Sequence, residues 1–516
     1  MFDMLRNKIE ARLPVFVGLI CAVIALLSTF VPSAVGPANN SDFMRVMYPN
    51  RISFVDNNPR TTWNGYGFTP TFEMSLGGSD WSLLTRAVYF LHTDFSRFDY
   101  PTTQILTIKL SKFLNLGHNI VVGAPLYTYN LFWLALIHIA IFAAALILIL
   151  GFIYRRFGKW AFAFATFTAV FVLSDQGYSL YFNSFYGEGL QYVLTLLAIG
   201  LLLRLEERRS GGALLAYYIA VYFMATTKLA WVPVGLFFAL VPLGFLLVKK
   251  LAVLRMKIVA GCSLTLLALL VFHFLLTPSW IDDASNFNSV FRGVLTNSQT
   301  PEQDLIWLGL DPEFAILEGV NWFQYEFPID VVSDEFQENF FEKVSKTRIL
   351  MFYLNHPMRL LDILQVSAEH ARHIRSPLLT SVQVPQYMGQ QVHRFSLWEF
   401  TRVWLAPLAN FWFIAAALGA AVAWAGFELI KIVKKGQNYT NILLPFLMLA
   451  IVVSAAASFV IPYVANGTAD LAKQLFGFIS LFDIVIFTLI GKVLLMAYER
   501  KANMKVHLWL KNKFNK

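Results

Sequence analysis

Two adjoining stretches near the start of the chain read Phe16-Val-Gly-Leu-Ile-Cys-Ala-Val-Ile-Ala-Leu-Leu-Ser-Thr-Phe-Val-Pro-Ser-Ala-Val35 and Gly36-Pro-Ala-Asn-Asn-Ser-Asp-Phe-Met-Arg45. A helix of about 20 such apolar residues spans the roughly 30 Å hydrocarbon core of a bilayer. No Ala-x-Ala cleavage site follows it, so we interpret the first stretch as a retained membrane helix. Asp42 and Arg45 are therefore expected at the membrane interface, where a lipid-borne substrate presents its head group.

The composition is that of a polytopic membrane protein. Of the 516 residues, 57% are hydrophobic and only 14% are charged, whereas soluble domains carry roughly 25% charged residues. Ten stretches are long and apolar enough to span, at residues 16–35, 130–153, 159–174, 188–204, 212–228, 230–248, 257–276, 404–430, 441–462 and 475–497. We therefore predict an all-α polytopic membrane protein with about ten transmembrane helices.

Lysine and arginine residues concentrate in alternate connections between these stretches, which predicts that those connections are cytoplasmic. The basic connections lie at residues 6–12, 155–159, 204–209, 249–257 and 431–435, with a basic tail at 500–516. Both termini are then cytoplasmic, and the two long loops are outside. The net charge of +9 reflects this rule and the lipid bilayer surface, so no nucleic-acid partner is predicted.

The loops divide the chain into three predicted regions. Residues 1–276 form an N-terminal membrane module that includes the first outer loop, 36–128. Residues 277–402 form a large outer loop, and residues 403–516 form the C-terminal membrane helices and the basic tail. Two stretches of the first loop, Trp81–His92 and Pro101–Leu116, are too short to span and are predicted to be helices lying in the interface.

Candidate polar residues cluster in the short outer turns. Asn183, Tyr186 and Glu188 lie between the third and fourth predicted spans. Glu188 suits a helix N-terminus for structural reasons alone, because the amide dipoles there favour an anion. Asp470 and Lys473 stand three residues apart before the last span, where a local ion pair is the structural alternative to substrate binding.

The large outer loop carries a helical pattern from about Glu335 to Arg375 that ends in a basic cluster. Arg372, His373 and Arg375 have helical spacing there and would form a cradle for a phosphate group. A solvated helix face is the structural alternative for the same residues.

Evidence for a metal site is weak in the sequence. Glu369, His370 and His373 are possible ligands, but they lack a fourth partner. Cys21 and Cys262 both fall within predicted spans, so they indicate neither a disulfide nor a cysteine metal site. No metal ligand and no cofactor are therefore predicted, and a divalent metal stays an alternative.

Four motifs carry a family resemblance, namely Asn40-Ser-Asp-Phe-Met-Arg45, Asn183-Ser-Phe-Tyr-Gly-Glu188, Ser289-Val-Phe-Arg-Gly-Val-Leu295 with Leu308-Gly-Leu310, and Asp470-Leu-Ala-Lys-Gln-Leu-Phe476. Together with an acid in the first outer loop and interfacial helices beside it, they resemble the GT-C superfamily of polyprenyl-phosphate-sugar-dependent glycosyltransferases. Within that superfamily the chain is most similar to the bacterial WsfD-type hexose transferases of glycan biosynthesis.

The resemblance implies that Asp42 is the catalytic base. The candidate substrate-binding residues are Arg45, Asn183, Tyr186, Glu188, Arg372, His373, Arg375, Asp470 and Lys473. The family resemblance also implies a polyprenyl-phosphate-linked sugar as donor and a glycan or lipid as acceptor. It further implies a location in the bacterial cytoplasmic membrane with the active site facing outward. Some relatives carry a second acid next to the first, whereas this sequence has one acid there.

Two other functions stay open as alternatives, a lipid-linked glycan flippase or transporter and an outer-face polysaccharide polymerase. A transporter typically places polar residues at the midplane of two repeated halves. Here no internal repeat is visible and the polar residues lie in outer loops of unequal length, which favours an enzyme. The chain also lacks a Gly-rich phosphate loop after a predicted strand, which argues against a soluble nucleotide sugar as donor.

Overall fold

The structure, a computed structural model, describes residues 2–55, 67–96, 100–247, 253–324, 326–383, 389–435 and 440–514. Among these residues eight helical segments are long and apolar enough to cross a membrane. Seven of them lie within the helices Phe2–Phe30, Phe132–Thr168 with a π-helical turn at Ala169–Leu173, Gly187–Arg208, Val253–Leu275, Phe411–Lys435, Leu443–Asn466 and Phe476–Phe514. The eighth, Leu229–Leu246, is built from the successive helical pieces Leu229–Trp231, Val232–Leu240, Val241–Leu243 and Gly244–Leu247, and Gly211–Ala225 is a further, shorter apolar helix. The all-α polytopic class is thus confirmed, although Lys249 and Lys250 of one basic connection lie outside the described residues.

The long segment Phe132–Leu173 turns back on itself at Gly158, whose φ of 79° and ψ of −171° interrupt the helix. The phenyl ring at the start of the segment lies 5.2 Å from the ring of Phe30. Just beyond its other end, the side chain of Gln176 donates a hydrogen bond to the carbonyl of Ser28. Both ends of the segment therefore lie at the same end of the first helix, and its two halves run antiparallel.

The observed segments agree with about ten crossings. The two halves of the interrupted segment correspond to the second and third predicted spans. The shorter apolar helix Gly211–Ala225, of 15 residues, corresponds to the fifth. The helix Gly187–Arg208 has the largest buried share of all the candidate spans, 83%. It therefore runs through the centre of the bundle, and its first turn emerges where the outer loops gather.

Short helices and one small sheet make up the regions between the membrane spans, including the loops predicted to be outside. The helices and helical turns are Met44–Met47, Tyr48–Asn50, Leu83–Leu91, Gln104–Val122, Gln176–Ser179, Leu180–Asn183, Ser279–Ser289, Val290–Val294, Pro301–Leu308, Pro312–Leu317, Asp334–Phe336, Gln337–Phe341, Lys346–Asn355, Pro357–His370, Leu397–Trp404, Ala406–Ala409 and Leu471–Gln474. The three strands Ile52–Ser53, Thr71–Met74 and Thr128–Asn130 pair antiparallel in that order. The helices Leu83–Leu91 and Gln104–Val122 occupy the stretches predicted to be interfacial.

The helical pattern predicted from about Glu335 to Arg375 is broken into separate helices, which corrects the sequence interpretation. One break falls at His356, where φ of −120° and ψ of 71° leave the helical region because the next residue is Pro357. The last helix of the series ends at His370. The basic residues that follow consequently do not share a helix face, and the spacing argument for a phosphate cradle fails there.

Candidate active site

Asp42 lies between two cations at the end of the bundle where the outer loops gather. Its Oδ2 atom is 2.6 Å from Nζ of Lys473, and its Oδ1 atom is 3.0 Å from Nη2 of Arg45. The same Nζ atom of Lys473 is also 2.6 Å from Oδ2 of Asp470. Two acids and two bases from the opposite ends of the chain thus form one connected charge cluster.

Aromatic packing holds the loop that carries Asp42. The ring of Phe43 is almost fully buried and lies 5.5 Å from the ring of Phe185 and 4.8 Å from that of Tyr186. The side-chain oxygen of Asn39 accepts a hydrogen bond from the backbone N–H of Phe43. These contacts fix Phe43, the residue that follows Asp42. Together with the ion pairs to Arg45 and Lys473, they hold the Asp42 carboxylate in place.

The turn between the third and fourth spans contributes uncharged polar groups. The phenolic oxygen of Tyr186 accepts a hydrogen bond from the backbone N–H of Asn40 at 3.0 Å. The side-chain amide of Asn40 in turn donates to Oδ2 of Asp470 at 2.7 Å. Asn183 is buried and donates to the carbonyl of Val35 at 3.0 Å. Asn183 and Tyr186 therefore bind the first outer loop to the central helix.

Lys473 is positioned by a tight turn that precedes its short helix, Leu471–Gln474. At the start of this turn Gly467 has a φ of +56°, and a β-carbon there would lie 2.1 Å from the carbonyl oxygen of Arg292. The backbone N–H of Thr468 donates to that same carbonyl at 2.9 Å. Only glycine permits this approach, so the turn that carries Lys473 rests directly on the backbone of the large outer loop.

A second ion pair lies beside the cluster. Nζ of Lys228 is 2.6 Å from Oε1 of Glu188, which is buried in the first turn of the central helix. The charge of Lys228 acts on Asp42, and the charge of Glu188 acts on Lys473. The Lys228–Glu188 pair and the cluster around Asp42 therefore influence each other electrostatically.

The cluster has a buried part, formed by Lys473, and a partly exposed part, which we call the mouth and which contains Asp42 and Arg45. Only 3% of the Lys473 side chain is exposed, whereas 18% of Asp42, 23% of Arg45 and 29% of Asp470 are exposed. Burial tends to raise the pKa of Asp42, but the charges of Arg45, Lys473 and Lys228 outweigh it and hold that pKa well below its usual range. Burial raises the pKa of Asp470 in spite of Lys473. Of the two carboxylates paired with Lys473, Asp42 is therefore the one whose pKa the neighbouring cations hold low.

Comparison with protein families assigns the chain as a whole. Residues 2–514 match the family described as the YfdI N-terminal transmembrane domain. The chain belongs to this family. YfdI is a GT-C-like glycosyltransferase family, so membership suggests a glycosyltransferase-like membrane protein, and the GT-C class of this chain stays a prediction. Comparison with curated proteins and with solved structures returns no match. The finer WsfD-type assignment stays a prediction.

In this member of the YfdI N-terminal transmembrane domain family, the predicted basic cluster of the large loop is arranged differently from the first-loop cluster. Arg375 is buried, and its guanidinium forms a two-pronged ion pair with the carboxylate of Glu399. Arg372 is partly exposed and donates through Nε to His373 at 3.3 Å. Among the described residues no group of three or more His, Cys, Asp or Glu side chains is placed to hold a metal, so the ligand set at 369–373 is not supported.

Several residues of the site carry a weak signal in the sequence or none. Tyr100 and Trp280 both lie close to the Arg45 guanidinium, with ring centroids 5.7 Å and 5.4 Å from its central carbon. An aromatic residue near a membrane surface is usually an interfacial anchor, so composition does not single them out. Lys228 was detectable, because a cation at the end of an apolar span is costly unless it is paired.

A buried network supports the site from the membrane side. Asp483 lies within the last span and forms an ion pair with Arg402, and both side chains are 1% exposed. Tyr178 and Trp398 each donate a hydrogen bond to the Oδ2 atom of Asp483. The large outer loop is thereby bound to the last membrane helix through a fully desolvated charge pair.

Proposed function

We propose that the protein is an integral membrane glycosyltransferase that moves a hexose from a polyprenyl-phosphate donor to a glycan or lipid-linked acceptor on the non-cytoplasmic face. Family membership supports glycosyl transfer at a membrane. The observation that carries the proposal is the partly exposed Asp42 carboxylate, held by Arg45 and Lys473 at a bundle end. Donor, acceptor and base are proposed on this basis.

The chemistry needs few groups, because a sugar on a lipid phosphate already has a good leaving group. The enzyme has to accept a proton from the acceptor hydroxyl and stabilise the charge that develops on the phosphate. Asp42 takes the proton as the acceptor oxygen bonds to the anomeric carbon. The bond from that carbon to the phosphate oxygen breaks, and the electron pair leaves with the phosphate. No bond to the protein forms in this step.

Cations at the mouth are suited to the phosphate. Arg45 offers a planar guanidinium that binds two phosphate oxygens at once, and its charge gains importance as the leaving group becomes more negative. Lys228 and Arg372 are further candidates for the donor, while Arg375 acts through its pair with Glu399 or by direct contact. The prenyl chain stays in the bilayer beside the exposed apolar face of the helix Leu83–Leu91.

Donor binding would also strengthen the base. In the free protein Arg45 and Lys473 hold the pKa of Asp42 low against the effect of burial, which makes the carboxylate a weak proton acceptor. A phosphate that competes for Arg45 reduces the positive potential at Asp42 and raises its pKa towards a value better matched to proton transfer. The carboxylate thus becomes more basic when the donor is in place.

The test is transfer of hexose from a defined polyprenyl phosphate by the purified full-length protein. We expect Asp42→Asn to slow transfer by about 100-fold or more, the typical loss for a general base. Asp94→Asn is the matched control, since Asp94 forms an ion pair with Arg51 in the same loop, away from the cluster. Near-normal turnover by Asp42→Asn, or loss of transfer only in Asp470→Asn, would remove Asp42 from the role of base.

A further inference from the structure

The position of Lys473 between two carboxylates has the geometry of a bound cation. Its single Nζ atom is 2.6 Å from one oxygen of Asp42 and 2.6 Å from one oxygen of Asp470. Oxygen-ligated divalent cations in proteins have ligand distances of about 2.0–2.6 Å. The ammonium group therefore stands where a divalent ion bridging these two acids would stand.

The surroundings of that position also suit a cation. The side-chain amide of Asn40 is within hydrogen-bond distance of Asp470, and its oxygen faces the Tyr186 hydroxyl at 2.9 Å. The ring face of Tyr186 lies 4.8 Å from the Lys473 nitrogen, and such a π-face attracts positive charge. Two carboxylate oxygens and a ring face thus surround the Lys473 nitrogen, whose own side chain is almost closed to solvent.

Charge balance excludes a divalent ion from the intact cluster. Arg45 and Lys473 supply two positive charges within 3.0 Å of the carboxylates of Asp42 and Asp470. A further divalent ion would add two uncompensated charges in a desolvated place and would have to displace the Lys473 side chain. The second acid that some GT-C relatives carry for their first-loop site is absent here, so the residues present do not fit a resident metal.

We infer that Lys473 is a built-in replacement for a divalent cation, bridging Asp42 and Asp470, and that removal of its ammonium group leaves a cation site between them. The catalytic meaning of this exchange rests on the proposed glycosyl transfer, whereas the exchange itself does not. Lys473 acts on the reaction by fixing and neutralising the two carboxylates. Asp470 is then a positioning residue that holds the ammonium group of Lys473 at hydrogen-bond distance from Asp42.

The experiment titrates Mn²⁺ into detergent-purified full-length protein and follows bound ion by electron paramagnetic resonance, with no substrate present. Mn²⁺ is the probe because it favours carboxylate and carbonyl oxygen ligands. We expect Lys473→Ala to bind one Mn²⁺ at least tenfold more tightly than the wild type and to gain thermal stability from it. The matched control is Lys473→Ala combined with Asp470→Asn, which removes one ligand and should lose the gain.

Activity gives an independent reading. Transfer by the wild type should be unaffected by a chelator, and Lys473→Ala should lose activity that Mn²⁺ restores in part. Tight Mn²⁺ binding by the wild type, or a folded Lys473→Ala that binds no more tightly than the double variant, would overturn the inference. If Lys473→Ala fails to fold, Lys473→Met is purified with and without Mn²⁺, and recovery only with Mn²⁺ supports the site while failure in both contradicts it. If no donor supports transfer, the proposed function fails, but the Mn²⁺ binding result still tests the exchange of Lys473 for a cation.

Discussion

The guanidinium of Arg45 lies against the ring of Trp280, with its central carbon 5.4 Å from the ring centroid. Arg45 belongs to the first outer loop and Trp280 to the start of the second, so one cation–π contact joins the two loops at the mouth of the site. Stacking of this kind is strongest for a planar cation such as arginine. The contact also fixes the direction in which the Arg45 side chain faces.

Replacement of Arg45 tests the donor contact. We expect Arg45→Lys to slow transfer about tenfold, equivalent to roughly 1.4 kcal/mol, because lysine keeps the charge but loses the fork. Arg45→Ala should be slower still. The control is Arg51→Lys, since Arg51 has an ion pair with Asp94 and a ring contact with Tyr89 outside the cluster. Wild-type turnover and donor KM in both Arg45 variants would place the phosphate elsewhere.

The pH dependence follows from the low pKa of Asp42, which its neighbouring cations maintain against burial. The ion pairs of a carboxylate with a depressed pKa are complete above the ordinary aspartate value of about 3.9. They are lost only as the pH falls below it towards the folded-state pKa. Arg45→Ala removes one cation, so the acid limb of kcat/KM should move to higher pH. Profiles that coincide for the wild type and Arg45→Ala would contradict this coupling.

Arg375 and Glu399 test whether the second basic cluster is structural. Their two-pronged pair is buried, and removing one partner of such a pair typically costs about 3 kcal/mol. We therefore expect Arg375→Ala and Glu399→Gln to lower the thermal unfolding midpoint alike. A rise in donor KM that appears with Arg375→Lys and not with Glu399→Gln would instead support direct contact between Arg375 and the donor.

The pair Arg402–Asp483 predicts strong non-additivity. Arg402→Met leaves Asp483 buried without its counter-charge, so the unfolding midpoint should fall markedly. Adding Asp483→Asn removes that charge, and the double variant should be more stable than Arg402→Met alone. Lys346→Met is the control, because the Lys346–Asp282 pair is about half exposed and contributes little. A loss in the double variant equal to the sum of the losses in Arg402→Met and Asp483→Asn would mean that the pair is not coupled.

The orientation of the chain is tested by cysteine labelling. Val332 is 77% exposed on the large outer loop, and Gly212 is exposed at the start of the helix Gly211–Ala225, next to the connection at 204–209 that is predicted to be cytoplasmic. In a background with Cys21→Ser and Cys262→Ser, an impermeant thiol reagent added to intact cells should label Val332→Cys and leave Gly212→Cys unlabelled. The reverse pattern would overturn the topology and the side on which the site lies.

The sequence predicts much of the architecture because apolar length is a local property. The spans are continuous runs that a bilayer requires whatever their partners, so their existence and class could be predicted without contacts. The large outer loop has no such requirement. There the pattern predicts one helix through a stretch that Pro357 interrupts, and the restriction that proline places on His356 is the sequence signal of the break.

The site could be predicted residue by residue, but its connections could not. Asp42 and Lys473 both stand out as charges beside membrane spans, yet they are 431 residues apart in the sequence, and nothing in the intervening sequence indicates their contact. The same holds for Arg375 and Glu399, because a buried ion pair and a phosphate cradle use the same side chains. Which of the two forms depends on where the chain returns, and that is decided by tertiary packing.

The contact of Gly467 with the carbonyl of Arg292 has a mechanical consequence. Because no space separates the two backbones, the large outer loop cannot tilt over the membrane without carrying the turn that holds Lys473 with it. A displacement of the outer loop at Arg292 therefore acts directly on the turn that carries Lys473. The backbone contact at Gly467 thereby couples the position of the outer loop to that of Lys473.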